Sequence, residues 1–214
     1  MSRGLFLSFE GGEGSGKSLQ ARRLRDALAT AHPEREVVLT REPGGTPAGE
    51  RMREIVLHAK EIDLSPEAQV LLYSAARAQN VRDLIRPHLD AGHIVIADRF
   101  FDSTMAYQGY GHGVPLDAIR SVTALAVGNT IPDRTFVLDV PVSIGLARSG
   151  WRVEAKWDRF EVLEQAFHER VREGYLRLAA AEPHRFAVIP GDRDEASIAM
   201  DIRRRVDELL ATPA

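Results

Sequence analysis

The residues Gly11-Gly12-Glu13-Gly14-Ser15-Gly16-Lys17-Ser18 match the pattern G-x-x-x-x-G-K-[ST] without a mismatch. A glycine-rich loop of this kind lets successive backbone N–H groups turn inward on a polyphosphate. The positive end of the following helix adds to the attraction. In that chemistry Lys17 reaches the outer phosphates and the Ser18 hydroxyl coordinates Mg²⁺. The apolar run Leu5-Phe6-Leu7-Ser8-Phe9 precedes the loop, and a helix-like run from Leu19 to Ala31 follows it. This strand–loop–helix context is the one the pattern requires, and it disfavours the alternative of a glycine-rich turn without a ligand. The loop indicates a nucleotide and leaves the reaction open.

Asp98 closes the apolar run His93-Ile94-Val95-Ile96-Ala97 and is followed by Arg99. An acid in that place, downstream of such a loop, suits a Mg²⁺ site held directly or through water. Arg41-Glu42-Pro43-Gly44-Gly45-Thr46 joins a cation to a stiff and then a permissive turn. It reads equally as a plain β–α connection or as a clamp on a second ligand. Tyr73 and Arg77 are four apart on an expected helix and share a face. Ordinary packing of the Arg stem along the ring is the simpler reading; a stacking ring beside a phosphate-binding guanidinium is the other. Ser103-Thr104-Met105-Ala106-Tyr107-Gln108-Gly109 clusters groups that either read a base edge or cap the next helix. Between Arg148 and Arg159 stand Arg148, Arg152, Lys156 and Arg159, with Gly150. A solvated loop and a lid that brings arginines to a transferring phosphoryl group both fit. Arg203-Arg204-Arg205 reads as a solvated helix face, and His32, His58, His112, His168 and His184 lack metal-ligand spacing or a partner pattern.

The elements that must carry these residues alternate. Strand-like runs cover Leu5 to Phe9, Glu36 to Leu39, His93 to Ala97, Arg134 to Val140 and Arg185 to Ile189. Helices are expected from Leu19 to Ala31, Pro66 to about Asp90, Pro115 to Val127, about Glu161 to Ala181, and Glu195 to Leu210. Pro66 suits a first turn and Gly128 a helix stop. Apolar strands alternating with helices predict a parallel sheet covered on both faces, with ligands at the C-terminal strand ends. The loops after the first three strands hold the polar residues named above.

Composition bounds the rest. The 214 residues form one expected α/β domain, 44% hydrophobic and 28% charged, with net charge −3 and no cysteine. Nucleic acid is not expected as a partner at that charge, and disulfides and thiolate chemistry are excluded. No apolar stretch approaches the roughly 20 residues of a membrane span. The first strand begins almost at once and leaves no room for a signal peptide, so a cytoplasmic protein is expected.

Taken together the chain resembles the bacterial thymidylate kinase family of P-loop nucleoside-monophosphate kinases, from Leu5 to about Leu210. The matching motifs are Phe9-Glu10-Gly11 through Ser18, Arg41 through Gly45, Leu72 through Arg77, Asp98-Arg99-Phe100, Ala106 through Gly109, and Asp158 through Glu161. The resemblance implies an α/β P-loop nucleoside-monophosphate kinase fold: a five-stranded parallel sheet, helices on both faces, and a lid at about 148–160. It implies ATP + dTMP → ADP + dTDP with Mg²⁺, a step of dTTP biosynthesis, in a homodimer.

By the same resemblance Gly11, Gly12, Glu13, Gly14, Ser15, Gly16, Lys17 and Ser18, with Arg159, hold ATP. Ser18 and Asp98 hold the metal. Arg41, Arg77 and Arg99 lie near the dTMP phosphate or base, with Pro43 in the adjoining turn. Glu13 meets the 3′-hydroxyl. Tyr73 lines the thymine pocket, Thr104 and Gln108 lie where the base is read, Ser103 joins the substrate-binding set, and Tyr107 crowds the sugar 2′ position. Lys17, Asp98, Arg99, Arg148 and Arg152 are the expected catalytic set. Gly14 carries no cation, which implies that the catalytic arginine, Arg148 or Arg152, comes from the lid. A kinase for another nucleotide is the nearest alternative. An ATPase or switch is the more distant one, and the Asn-Lys-x-Asp guanine motif of a GTPase is absent from the sequence.

Overall fold

The structure is a computed structural model that describes residues 4–59, 61–149 and 164–211. Strand β1 (Leu5–Glu10) alternates its side chains, and its two phenylalanines seed different layers. Phe6 meets Phe100 edge to face at 5.0 Å, among Val81, Ile85, Leu89 and Val127. Phe9 meets Phe136 at 5.3 Å on the opposite face, among Leu24, Leu28, Ile198, Ile202 and Val206. Both faces of the strand are therefore buried, as the apolar run predicts.

β2 (Val37–Arg41), β3 (Ile94–Asp98), β4 (Arg134–Asp139) and β5 (Phe186–Pro190) join β1 in one parallel sheet of order β2-β3-β1-β4-β5. All five expected runs form strands within a residue or two of their expected ends. Because the chain returns from β2 and β3 on one side of β1 and moves to β4 on the other, β1 lies where strand order switches. Ligand clefts open at such points.

Helix α1 (Lys17–Ala31) follows the glycine-rich loop, and α2 (Pro47–Arg53) widens into a π-helical turn at Glu54–His58. α3 (Pro66–Asn80) starts with the Ser65 hydroxyl accepting from Ala68 N at 3.2 Å and with Pro66 in its first turn. It runs on through a wide turn at Val81–Ile85 into α4 (Arg86–Asp90), so the long helix expected from Pro66 to Asp90 is present. α5 (Phe101–Thr104) passes into a π-helical stretch at Met105–Gly111. α6 (Leu116–Val127) ends at Gly128, whose φ of 56° only glycine adopts cheaply. α7 (Val142–Arg148), α8 (Gln165–Ala181) and α9 (Glu195–Ala211) complete the described elements.

The helices at 47–58 and 101–111 have no clear counterpart in sequence periodicity. Their π-helical turns break the 3.6-residue repeat, and such turns cluster at functional sites. The expected lid at about 148–160 lies largely outside the described residues, with Arg152, Lys156 and Arg159 among those left undescribed.

Candidate active site at the C-terminal edge of the sheet

Between β1 and α1 the chain turns through Gly11, Gly14 and Gly16 at φ of 141°, 63° and 87°. These values lie in the range only glycine reaches without strain. Lys17 opens α1 and folds back, its Nζ donating to Gly12 O at 3.1 Å. Burial pulls its pKa below the usual range, with Arg99 acting the same way and Glu13 and Asp98 opposing. Gly14 packs against the backbone of α7, where an added Cβ would stand 1.9 Å from Gly145 O. Gly11, Gly12 and Ser15 border a small hollow on the β4 side of the loop.

Lys17, Ser18 and Asp98 share one wall of a cavity of about 220 Å³. Oδ1 of Asp98 is buried and makes no hydrogen bond among the described residues. A buried acceptor of that kind, beside a cation and a hydroxyl, suits a hydrated divalent metal. The same cavity is lined by Glu13, Arg41 and Pro43, by Tyr73 and Arg77 of α3, and by Arg99. Ser103, Thr104, Tyr107 and Gln108 complete that wall, so the residues expected to hold the second ligand converge.

The turn after β2 is bound tightly. Arg41 Nη2 donates to Glu50 Oε2 at 2.9 Å, and Gly45 N donates to Glu50 Oε1 at 3.1 Å. The Glu42–Pro43 peptide is cis. Glu42 itself points inward, accepting from Arg77 Nε at 2.7 Å and Asn80 Nδ2 at 3.3 Å. Burial raises its carboxyl pKa, and Arg77 and Asn80 oppose that rise. Arg77 is 1% exposed, stacks over Phe100 at 5.5 Å and donates to Thr104 Oγ1 at 3.0 Å. Its Nη1 is buried without a hydrogen bond among the described residues. The simple amphipathic reading of Tyr73 and Arg77 is thus too plain, because both reach the cavity. Gln108 Nε2 donates to Gln69 Oε1 at 3.1 Å, which fixes its amide where it lines the cavity.

Arg99 stands at the centre, in the left-handed region with φ of 71°. Its Nη2 donates to Glu13 Oε1 at 2.9 Å and to the Tyr107 hydroxyl at 3.2 Å. Its Nη1 donates to Gly11 O, Ser103 Oγ and the Tyr175 hydroxyl at 3.3, 3.1 and 3.3 Å. Burial works against its charge, and the facing groups outweigh it and raise the pKa well above the usual value. Burial also works against the charge of Glu13. Arg99, Lys17 and a hydrogen bond from Tyr107 at 2.5 Å overcome it and lower that carboxyl to about 2. Glu10, wholly buried at the end of β1, is pushed up to about 7 by burial and by the charge of Asp102.

The expected lid residue Arg148 ends α7, and its Nη1 donates to Gly191 O at 2.8 Å. Arg152 and Arg159 lie outside the described residues. Sequence reasoning assigned no part to Glu10, Glu42, Arg53, Leu57 or Tyr175. Glu10 did leave a signal, since an acid on an otherwise apolar strand must find partners. Tyr175 left none, because 76 residues separate it from Arg99.

A parallel sheet of this order with a glycine-rich loop after its central strand and a polar cavity beyond β3 has the fold of a P-loop nucleoside-monophosphate kinase. The sequence pattern of the thymidylate kinase family matches residues 9–202. A thymidylate kinase of Citrifermentans bemidjiense is 45% identical, over 96% of this chain and 94% of that protein. One of Deinococcus radiodurans is 45% identical, over 97% and 98%. The crystal structure of thymidylate kinase from Ehrlichia chaffeensis superposes with a TM-score of 0.77 at 32% identity, covering 95% of this chain and 99% of that one. The chain belongs to the thymidylate kinase family.

Proposed function

We propose that this protein transfers the γ-phosphoryl group of ATP to dTMP, giving ADP and dTDP for dTTP synthesis. One observation carries the reading beyond family membership: a single cavity joins Lys17, Ser18 and Asp98 to Arg41, Arg77, Arg99 and the polar wall at 103–108. A donor end and an acceptor end in one cavity suit direct transfer between two bound nucleotides.

The acceptor oxygen is already anionic, so no strong general base is required. Two polyanions must be brought in line and their repulsion neutralised. The loop from Gly11 to Ser18 cradles the ATP phosphates, and Lys17 reaches the transferring group. Arg41, Arg77 and Arg99 serve the dTMP phosphate or base, and the Nη1 of Arg77, buried without a partner among the described residues, supports its part. Glu13 lies toward the sugar 3′-hydroxyl, with the Tyr107 ring against the 2′ position. Tyr73 packs on thymine near Pro43, while Ser103, Thr104 and Gln108 meet the base edge.

Ser18 and Asp98 would hold Mg²⁺, which when bound would supply charge to offset that of the phosphates. Arg148 donates to Gly191 O, which favours Arg152 as the transition-state cation over Arg148, and the family resemblance gives Arg159 to ATP. In related enzymes such a cation is worth about 10³–10⁵ in rate. Exposed Leu71 on α3 and Leu125 on the adjoining α6 support a homodimer. The substrates, ATP and dTMP, support a cytoplasmic setting, and no described helix is long and apolar enough to cross a membrane.

A coupled ADP-release assay with dTMP, dUMP, UMP and CMP tests the reading. Turnover is expected to be highest with dTMP. Equal turnover with UMP or CMP, or ADP release without any acceptor, would refute it.

A further inference from the structure

Glu10 is 0% exposed at the end of a buried strand. An acid so placed is costly unless it is hydrogen-bonded or neutral. Phe6, Ser8 and Glu10 share one face of β1. Phe6 packs on Phe100, and the Ser8 hydroxyl lies 2.8 Å from that of Thr135. Glu10 meets the start of α5. Its Oε1 accepts from Phe100 N at 2.7 Å. Its Oε2 accepts from Ser103 Oγ at 2.6 Å and from the Tyr175 hydroxyl at 3.1 Å. Those two hydroxyl oxygens are the ones that accept from Arg99 Nη1.

We propose that Glu10 is a positioning residue for phosphoryl transfer, holding Arg99 through its neighbouring peptide N–H and through the Ser103 and Tyr175 hydroxyls. The proposal rests on the reading that Arg99 serves the acceptor phosphate. Arg99 occupies a backbone conformation that a non-glycine residue adopts only when its surroundings hold it there. The bond from Phe100 N to Glu10 is one such hold. The head group is held by polarity. A guanidinium only donates, a carboxylate only accepts, and a hydroxyl does both. Once Glu10 is ionised, above about pH 7, each hydroxyl directs its proton away from Arg99 and leaves an oxygen for the guanidinium. An amide at position 10 would present N–H groups to those hydroxyls and reverse that order. Tyr175 lies on α8, so this chain of bonds joins β1, the turn after β3 and α8 around one arginine.

The test uses the full chain with Glu10→Gln, Tyr175→Phe, Arg99→Lys and the Glu10→Gln/Arg99→Lys double variant. For each, kcat, both KM values and Tm are measured. Glu10→Gln is expected to lower kcat on the order of 10-fold with the KM for ATP unchanged, since small misplacements of a charge cost rate steeply. Tyr175→Phe should show a smaller loss in the same direction. In the Arg99→Lys background Glu10→Gln should cost less than about twofold more, because coupled residues are not additive. Losses that multiply in the double variant, or wild-type kcat in Glu10→Gln, would overturn the proposal. If Glu10→Gln does not fold, Tyr175→Phe takes its place in the same cycle with the same deciding outcomes. Full turnover in Arg99→Lys would overturn the reading of Arg99 and the proposal with it. An impaired Arg99→Lys beside a normal, folded Glu10→Gln would overturn the positioning role alone.

Discussion

Glu13 sits in a glycine-rich loop, and on its own such a carboxylate would be an ordinary surface acid. Its neighbours decide otherwise. Arg99 at 2.9 Å and Tyr107 at 2.5 Å hold it in place and favour its charged form. The carboxyl is lowered from 4.5 to about 2. The folded state therefore binds this proton less readily than the unfolded chain. The stabilisation is complete above pH 4.5 and is lost as pH falls through about 2. Thermal melts of the wild type and Glu13→Gln should differ by a constant margin from about pH 5 to 8, and that margin should close in more acid solution. A margin that widens on acidification would contradict this assignment. Glu10 has the opposite sign: its raised pKa favours the fold below 4.5, and that contribution is lost as pH rises through about 7.

Helix α7 shows how an element shapes a site without lining its cavity. Its Gly145 lies against the loop, where an added Cβ would stand 2.4 Å from Glu13 O. Gly14 answers with a positive φ and a contact that admits no side chain at all. The lack of a cation at position 14 is thus a packing condition as well as a chemical one. Gly145→Ala should displace the loop, raise the KM for ATP several-fold, and lower stability by about 1–3 kcal/mol through overpacking. Kinetic constants and Tm measured together decide the matter. An unchanged KM for ATP would show that the loop is indifferent to α7. The π-helical turns at Glu54–His58 and Met105–Gly111 act similarly, placing Leu57, Tyr107 and Gln108 on the cavity wall.

At the scale of the whole molecule, the sheet order β2-β3-β1-β4-β5 sets the loop after β1 beside the acid that ends β3. Register makes this concrete: Phe9 lies opposite Asp98, and so does Arg41. Three loops distant in sequence therefore open into one cavity. On the outside, Leu71 is 59% exposed and Leu125 is 88% exposed, on helices that pack together. Sedimentation of the wild type should give a dimer mass, and Leu71→Glu with Leu125→Glu should give a monomer. A wild-type monomer at micromolar concentration would remove the homodimer.

The phosphate loop, the five strands and the Pro66 helix start are local matters, set by glycine conformations, apolar runs and caps, and residue order alone expressed them. The residues proposed for the acceptor, from Arg41 to Gln108, are legible through several motifs occurring in the right order. Their convergence on one cavity depended on the sheet. What residue order could not express was pairing across long separations. Glu42 beneath Arg77, Tyr175 against Arg99, and Gly145 against Gly14 meet because strands and helices bring them there. Burial then removes water from these groups, and each polar atom must take the partner that the packing supplies. That is why the roles of Glu10 and Tyr175 belong to the tertiary structure, while the loop from Gly11 to Ser18 belongs to the sequence.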